Sequence, residues 1–385
     1  MAPVLHRSLG PDAPFPDVRV HHVRYAPGRK LAVRYDVGLE GRQYDAVAMI
    51  AAREYLVRRS VKPEHVALAR LVGRRSPAAM PLHYDVELEA LVQWYPLDLE
   101  LPALAEPPAR LVAELEAAGV SFGEVGDPVT LGYRPRRRAV LSVGEHVLKI
   151  YSRNENFAAA TANLLAAAEL GSIRTAAFEG CLPARLITVQ PLLSGSVPAR
   201  SADVALKAGE LLRELADADA PREPGLVAAL PSHQLAVARA SARFVAAIMP
   251  VLGGRLEALL RELEATVPSI DRLVLSHGDF SARQLLVTRD GLAVVDLDAM
   301  RVAPAALDPA TYTAHLVFGE PGDLDEACEA LEQLLGGYGG RPPALSWYLA
   351  TSILRHSRSP FRYFDEHWPD RVEGMVAAAE TALAR

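Results

Sequence analysis

The sequence predicts an α+β chain, with its strands gathered in the first half and its helices in the second. Three observations carry this expectation. A turn-and-strand unit occurs twice before residue 150. Beyond residue 200, apolar residues recur at helical spacing. One short apolar hairpin, near residues 284–296, interrupts those helices.

The repeated unit reads Tyr25-Ala-Pro-Gly-Arg29-Lys-Leu-Ala-Val-Arg-Tyr35 and again Tyr133-Arg-Pro-Arg-Arg137-Arg-Ala-Val-Leu-Ser-Val143. In each copy proline fixes a turn and a strand follows. A second apolar strand comes next, residues 46–50 in the first copy and 146–151 in the second. Only the second of these carries a lysine, Lys149. Chance likeness between two arginine-rich turns is the plain alternative. Turn chemistry at residues 94–108 closes the first copy, and residues 109–119 read as a short helix stopped by Gly119. The expected domains are therefore 1–119, 120–192 and 193–385. In the middle one, strands are expected around 129–141 and 147–151, with a helix over about 156–170.

The third domain is helical. Ser201 is placed to cap a helix running through Leu211 and Leu215. A longer helical stretch over about 234–263 is interrupted near Pro250 and Gly253-Gly254. Further helices are expected up to Leu335, then a break at Gly336-Gly-Tyr-Gly-Gly340, then terminal helices near 347–356 and 369–384.

The most informative residues lie on and before the hairpin. Leu275-Ser-His-Gly-Asp-Phe-Ser-Ala-Arg-Gln284 is followed by Val294-Val-Asp-Leu-Asp298. The apolar runs 284–287 and 292–296 meet across the turn pair Asp290-Gly291, which sets Gln284 opposite or nearly opposite Asp296. Asp279 sits on the loop feeding the first strand. Gln284 and Asp296 are hard oxygen ligands suited to a divalent cation, and Asp279 is free to take a proton. Asp298 is either a second metal contact or a loop support, and His277 reads as structural.

Bulk properties narrow the field. The 385 residues are 50% hydrophobic and 23% charged, a globular balance able to bury a core. A net charge of −6 argues against a nucleic-acid partner. Cys181 and Cys328 are too few for a disulfide framework and fit a reducing cytoplasm. The first residues resemble no signal peptide, and no run of eighteen apolar residues suggests a membrane span.

His277-Gly-Asp279 with Gln284, then Asp296-Leu-Asp298, resembles the catalytic and metal motifs of the aminoglycoside phosphotransferase family. The resemblance implies a bilobal protein-kinase-like fold, a small β-rich lobe and a large helical one, with residues 1–119 as an extra domain like a degenerate small lobe. It implies ATP and Mg²⁺, Asp279 as the base toward a small-molecule hydroxyl, and Gln284, Asp296 and Asp298 around the metal. Gln284 stands where the family usually has Asn, and in this it is similar to maltokinase-like sugar kinases. By the same resemblance Lys149 grips the nucleotide phosphates, and residues 189–195 form the hinge between lobes. Two features depart from the pattern. The turn at 133–138 has no glycine, which leaves Arg137 as the candidate to bring charge to the phosphates, unless its arginines simply face water. The helix after Lys149 lacks a central acid, so Glu169, or Glu155, is the remaining partner for that lysine. A small-molecule kinase acting as a monomer or homodimer is the first expectation. A nucleotide-binding pseudokinase serving as scaffold or sensor is the second. Acidic residues Glu320, Asp323, Asp325 and Glu326 suit either a polycationic aminoglycoside or the acidic start of a helix.

Overall fold

The turn-and-strand repeat folds into two sheets of one topology. A computed structural model describes residues 1–10, 12–171, 173–218, 228–270, 272–319 and 323–385. After a short helix α1 (Ala2–Leu9), the first sheet takes β1 (Asp17–Ala26), β2 (Lys30–Leu39), β3 (Arg42–Ile50), β4 (Leu82–Asp85) and β5 (Ala90–Trp94), with α2 (Arg53–Val61) and α3 (Pro63–Val72) between β3 and β4. Helix α4 (Pro108–Ala117) leads to the second sheet. It comprises β6 (Val129–Arg134), β7 (Arg138–Val143), β8 (His146–Tyr151), β9 (Gly180–Leu182) and β10 (Ile187–Pro191), with α5 (Asn154–Ala168) after β8. The strand orders, β1-β2-β3-β5-β4 and β6-β7-β8-β10-β9, are the same. The strands expected around 129–141 are β6 and the first part of β7, joined across the turn at Pro135.

The likeness extends to single residues. Arg29 N donates to Ala26 O and Arg137 N donates to Arg134 O, both at 3.0 Å. Each turn has proline at its second position and a left-handed residue at its third, Gly28 at φ 67° and Arg136 at φ 62°. This is the geometry of a type II turn, which favours glycine at the third position. Counting from these turns, Met49 (paired with Ala32) occupies the place of Lys149 (paired with Val140). Leu91 likewise matches Thr188.

The chain divides into two compact units. The first, Met1–Ala158, Glu179–Leu192 and Arg362–Phe364, holds both sheets. The second, Ala159–Phe178, Leu193–Phe361 and Asp365–Arg385, is built on helices α6 (Ala202–Asp217), α7 (Pro231–Ile248), α8 (Gly253–Ala265), α9 (Leu307–Phe318), α10 (Leu324–Tyr338), α11 (Leu345–His356), α12 (Ser359–Arg362) and α13 (Trp368–Ala384). Two small ribbons lie among them: β11 (Leu273–Ser276) with β14 (Arg301–Pro304), and the hairpin β12 (Leu285–Thr288) with β13 (Gly291–Val294). Ser201 caps α6 by accepting from Val204 N, as its position predicts.

The glycine run at 336–340 is not a break throughout. α10 continues through Gly336 and Gly337 and ends only at Gly339, in the left-handed conformation. A Cβ on Gly337 would lie 2.0 Å from Leu206 O, and one on Gly209 would lie 1.9 Å from Leu334 O. Both glycines exist to let α6 and α10 touch backbone to backbone. No helix among the described residues is long and apolar enough to cross a membrane.

Candidate active site

The loop after β11 is held by its backbone. His277 N and Gly278 N donate to the two oxygens of Asp308, at 2.6 and 2.8 Å. Asp308 stands in the first turn of α9 and is buried, and burial pushes its carboxyl above the ordinary value. Gly278 has φ 82°, and a Cβ there would fall 2.3 Å from Ala299 O, so no larger residue fits. The His277 ring is fully buried and donates through Nε2 to Val295 O at 3.1 Å. It is a structural residue, as its sequence context suggests. Phe280, also fully buried, anchors the far side of the loop against Tyr312, at 5.9 Å between ring centroids.

The clamped loop presents Asp279. Its Oδ1 accepts from Arg355 Nη2 at 2.8 Å, and His315 Nε2 lies 3.9 Å away. Burial alone would raise the Asp279 pKa, but neighbouring His315, Arg355 and His356 outweigh it and hold the carboxyl well below the usual carboxylate range. At 3.9 Å His315 is beyond hydrogen-bond reach, so its influence is electrostatic. The His315 and His356 rings are stacked at a tilt, centroids 4.3 Å apart. Burial, reinforced by His315 and Arg355, keeps the His356 pKa far below that of a free imidazole.

The hairpin has a turn shifted by one residue from the expectation. Thr288 pairs with Gly291, so Arg289-Asp290 forms the loop rather than Asp290-Gly291. Thr288 Oγ1 donates to Gly291 O at 2.7 Å and fixes this register. Gln284 therefore faces Val295, whose N–H donates to Gln284 O at 2.9 Å, and Asp296 is one residue beyond. Gln284 Oε1 accepts from Ser281 Oγ at 2.8 Å. Asp296 adopts φ 64°, ψ 49°, a left-handed conformation that non-glycine residues avoid except where the surroundings enforce it, often at functional sites. Gln284, Asp296 and Asp298 are all half-buried oxygen donors of the hard type that Mg²⁺ takes. Asp279 does not join Asp296 and Asp298 in one tight group among the described residues. The group that forms is Asp279, His315 and His356, with ligand atoms within 4.8 Å of one another. Arg355 on the same Asp279 oxygen makes that trio a poor cation site.

In the first unit, Lys149 is 6% exposed, which removes the reading of a solvated lysine. Leu148 and Ile150 point into an apolar cluster with Ala139, Leu141, Ile187 and Val189, and Lys149 lies on the opposite face. In the first copy that opposite face is filled. Met49 packs with Leu56, Val72, Leu91, Leu97 and Leu99, so this copy has an apolar cluster where the second has its lysine. The glycine-free turn is gripped by the segment after β5. Buried Asp98 accepts from Arg136 N at 2.7 Å and from the Tyr133 hydroxyl at 3.0 Å. Arg136 turns its guanidinium to Glu100, at 3.1 Å. Arg137 is exposed. Glu169 follows the end of α5, is exposed, and forms no ion pair among the described residues. The ion pair expected of Glu169 is therefore not formed.

Several residues at the site went unread in the sequence. Asn163, in mid-α5 where the family resemblance implies an acid, donates through Nδ2 to Asp298 O at 2.9 Å. Asp308, His315, Arg355 and His356 come from helices far along the chain. The Asp-Pro pair at 308–309, opening a helix after the hairpin, was the one available signal. Of the acidic residues near 320–326, Asp323 caps α10 by accepting from Asp325 N and Glu326 N, and Asp325 pairs with Arg385. They form a helix start, while Glu320 lies outside the described residues.

The profile of the phosphotransferase enzyme family matches residues 127–348. Among solved structures, a choline/ethanolamine kinase family protein from Mesorhizobium loti aligns at TM-score 0.50 and 17% identity, over 72% of this chain and 95% of that one. Choline kinase from Cryptosporidium parvum aligns at TM-score 0.52 and 11% identity, over 71% and 96%. At such identities the likeness establishes the protein-kinase-like fold and nothing finer. No curated protein matches the sequence.

Proposed function

Because the chain belongs to the phosphotransferase enzyme family, we propose that it moves the γ-phosphoryl group of ATP to a hydroxyl of a small molecule. The observation that carries this reading is the Asp279 loop, clamped through its backbone by Asp308 so that one ionised carboxylate is presented at a fixed place. Phosphoryl transfer needs mainly positioning and neutralised charge, so few side chains suffice. The acceptor oxygen forms a new bond to the γ-phosphorus while the bond to the β,γ-bridging oxygen breaks. ADP leaves with that electron pair, and the hydroxyl proton passes to Asp279. A carboxylate held this far below its ordinary pKa is a weak base, so its main service is to orient the hydroxyl until proton loss becomes easy late in the transfer. Bound Mg²⁺ would supply charge neutralisation on the phosphates, with Gln284, Asp296 and Asp298 as the oxygens holding it. Lys149, buried on the polar face of β8, is the phosphate-gripping cation.

The test is ADP production from ATP and Mg²⁺ over a panel of hydroxyl acceptors. Asp279→Ala is expected to lower the rate about 10²–10⁴-fold. An unchanged rate overturns the reading. One rival has an observation of its own. Arg136 stands where a phosphate-cradling turn would use glycine and points to Glu100, which fits a nucleotide-binding pseudokinase. ATP binding with no turnover on any acceptor would favour it.

A further inference from the structure

Asp279 is flanked by two guanidinium groups, Arg355 and Arg301. Arg355 spends Nη2 on Asp279, and the rest of its fork meets no acceptor among the described residues. His315 Nε2 and His356 Nε2 are shut off from solvent and have no hydrogen-bond partner. Arg301 lies against the same loop, its Nε 2.6 Å from where a Gly278 Cβ would be, with its pKa lowered by burial and by Arg355. The second carboxylate nearby, Asp308, is committed to two backbone N–H groups.

The side chains are nonetheless reachable. Asp279, Arg355 and His315 are 31%, 28% and 26% exposed, so a ligand can meet them without unfolding anything. Any hydroxyl that hydrogen-bonds to Asp279 arrives within a few ångströms of the Arg355 guanidinium. Ammonium groups on such a molecule would be repelled there, whereas a carboxylate or phosphate would be received by a planar fork suited to two parallel hydrogen bonds.

Resting on the phosphotransferase reading, we propose that the acceptor is an anionic hydroxyl compound. Its carboxylate or phosphate lies beside the reacting hydroxyl and is bound by the solvent-reachable fork of Arg355. Arg355 also stands in the last turn of α11, where a cation complements the helix dipole. That role explains a cation at the position but not its bond to Asp279.

The experiment compares four acceptors at equal concentration with ATP and Mg²⁺: gluconate, glucose 6-phosphate, glucose and kanamycin. ADP release and the thermal midpoint are both read, and ATP affinity is measured separately by calorimetry. Turnover or stabilisation by gluconate or glucose 6-phosphate above that by glucose is expected, and the better of the two tells carboxylate from phosphate. Arg355→Met should lower kcat/KM for the anionic acceptor about 10–100-fold, abolish its advantage over glucose and leave ATP affinity unchanged. Arg355→Lys should restore part of the advantage, which a purely structural role would not do. Preference for glucose or kanamycin, or no acceptor discriminated in either readout while ATP binds, overturns the inference alone. Zn²⁺ binding that is lost in His356→Gln would also overturn it, by giving the trio to a metal. Failure to bind ATP would remove the phosphotransferase reading itself.

Discussion

Two backbone N–H groups, those of His277 and Gly278, depend on one buried carboxylate. Asp308→Ala would leave both without a partner in an apolar surrounding, where each orphaned donor costs about 1–3 kcal/mol. Destabilisation of about 2–5 kcal/mol is expected in urea unfolding, with Asp308→Asn about half as harmful because one acceptor oxygen remains. Equal stability of Asp308→Ala and wild type would show that water replaces the carboxylate. The contrast with Asp279 explains what a sequence can and cannot disclose. Asp279, Gln284 and Asp296 stand on one loop and hairpin, so their spacing is itself a statement about geometry. Asp308, Asn163, His315 and Arg355 reach the same place only because separate helices pack there, and no local pattern records that packing.

Secondary elements were legible where a residue had one possible use and misleading where it had two. Proline in the 25–35 and 133–143 repeats can only turn the chain, and both turns form. Glycine at 336–337 could end a helix or admit a neighbouring backbone, and the contact of α6 with α10 decides for the second. Arg136 offers a sharper case, since a left-handed residue other than glycine costs about 1–2 kcal/mol. Asp98 offsets that cost by accepting its N–H, while also receiving the Tyr133 hydroxyl and Glu100 N. The first β-repeat thereby does structural service: its face matching that of Lys149 is filled by Met49 and Leu91, yet the segment following β5 fixes the turn of the second copy. Asp98→Ala is expected to destabilise the protein by about 2–4 kcal/mol, because three donors lose one acceptor. In ATP titrations the same variant should bind more weakly than wild type, since the turn beside Lys149 would no longer be fixed.

At the scale of the whole molecule, acid should weaken the fold before its carboxylates titrate. His356 is held far below the ordinary imidazole pKa by burial and by His315 and Arg355. His22 is lowered to about 4, first by burial and then by Arg362, His21, Arg134 and Arg34. In the unfolded chain both rings take up protons near pH 6.5. Below that pH the unfolded state binds more protons than the folded one, so stability rises with pH across this window and falls on acidification. The limit is about 1.4 kcal/mol per pH unit for each ring, less for half-buried His22, where solvent screens the charge. Buried Asp98 and Asp308 are pushed up and work in the opposite sense, protonating in the folded state first. A single acid curve therefore mixes two effects of opposite sign, and only a difference between proteins separates them. Urea midpoints at pH 7.5 and 5.0 for wild type and His356→Gln provide that difference, because the carboxylates are common to both. Wild type should lose more stability over the interval than the variant. Parallel losses would mean that His356 charges freely within the fold, and that the cationic surroundings of Asp279 do not exclude one more proton.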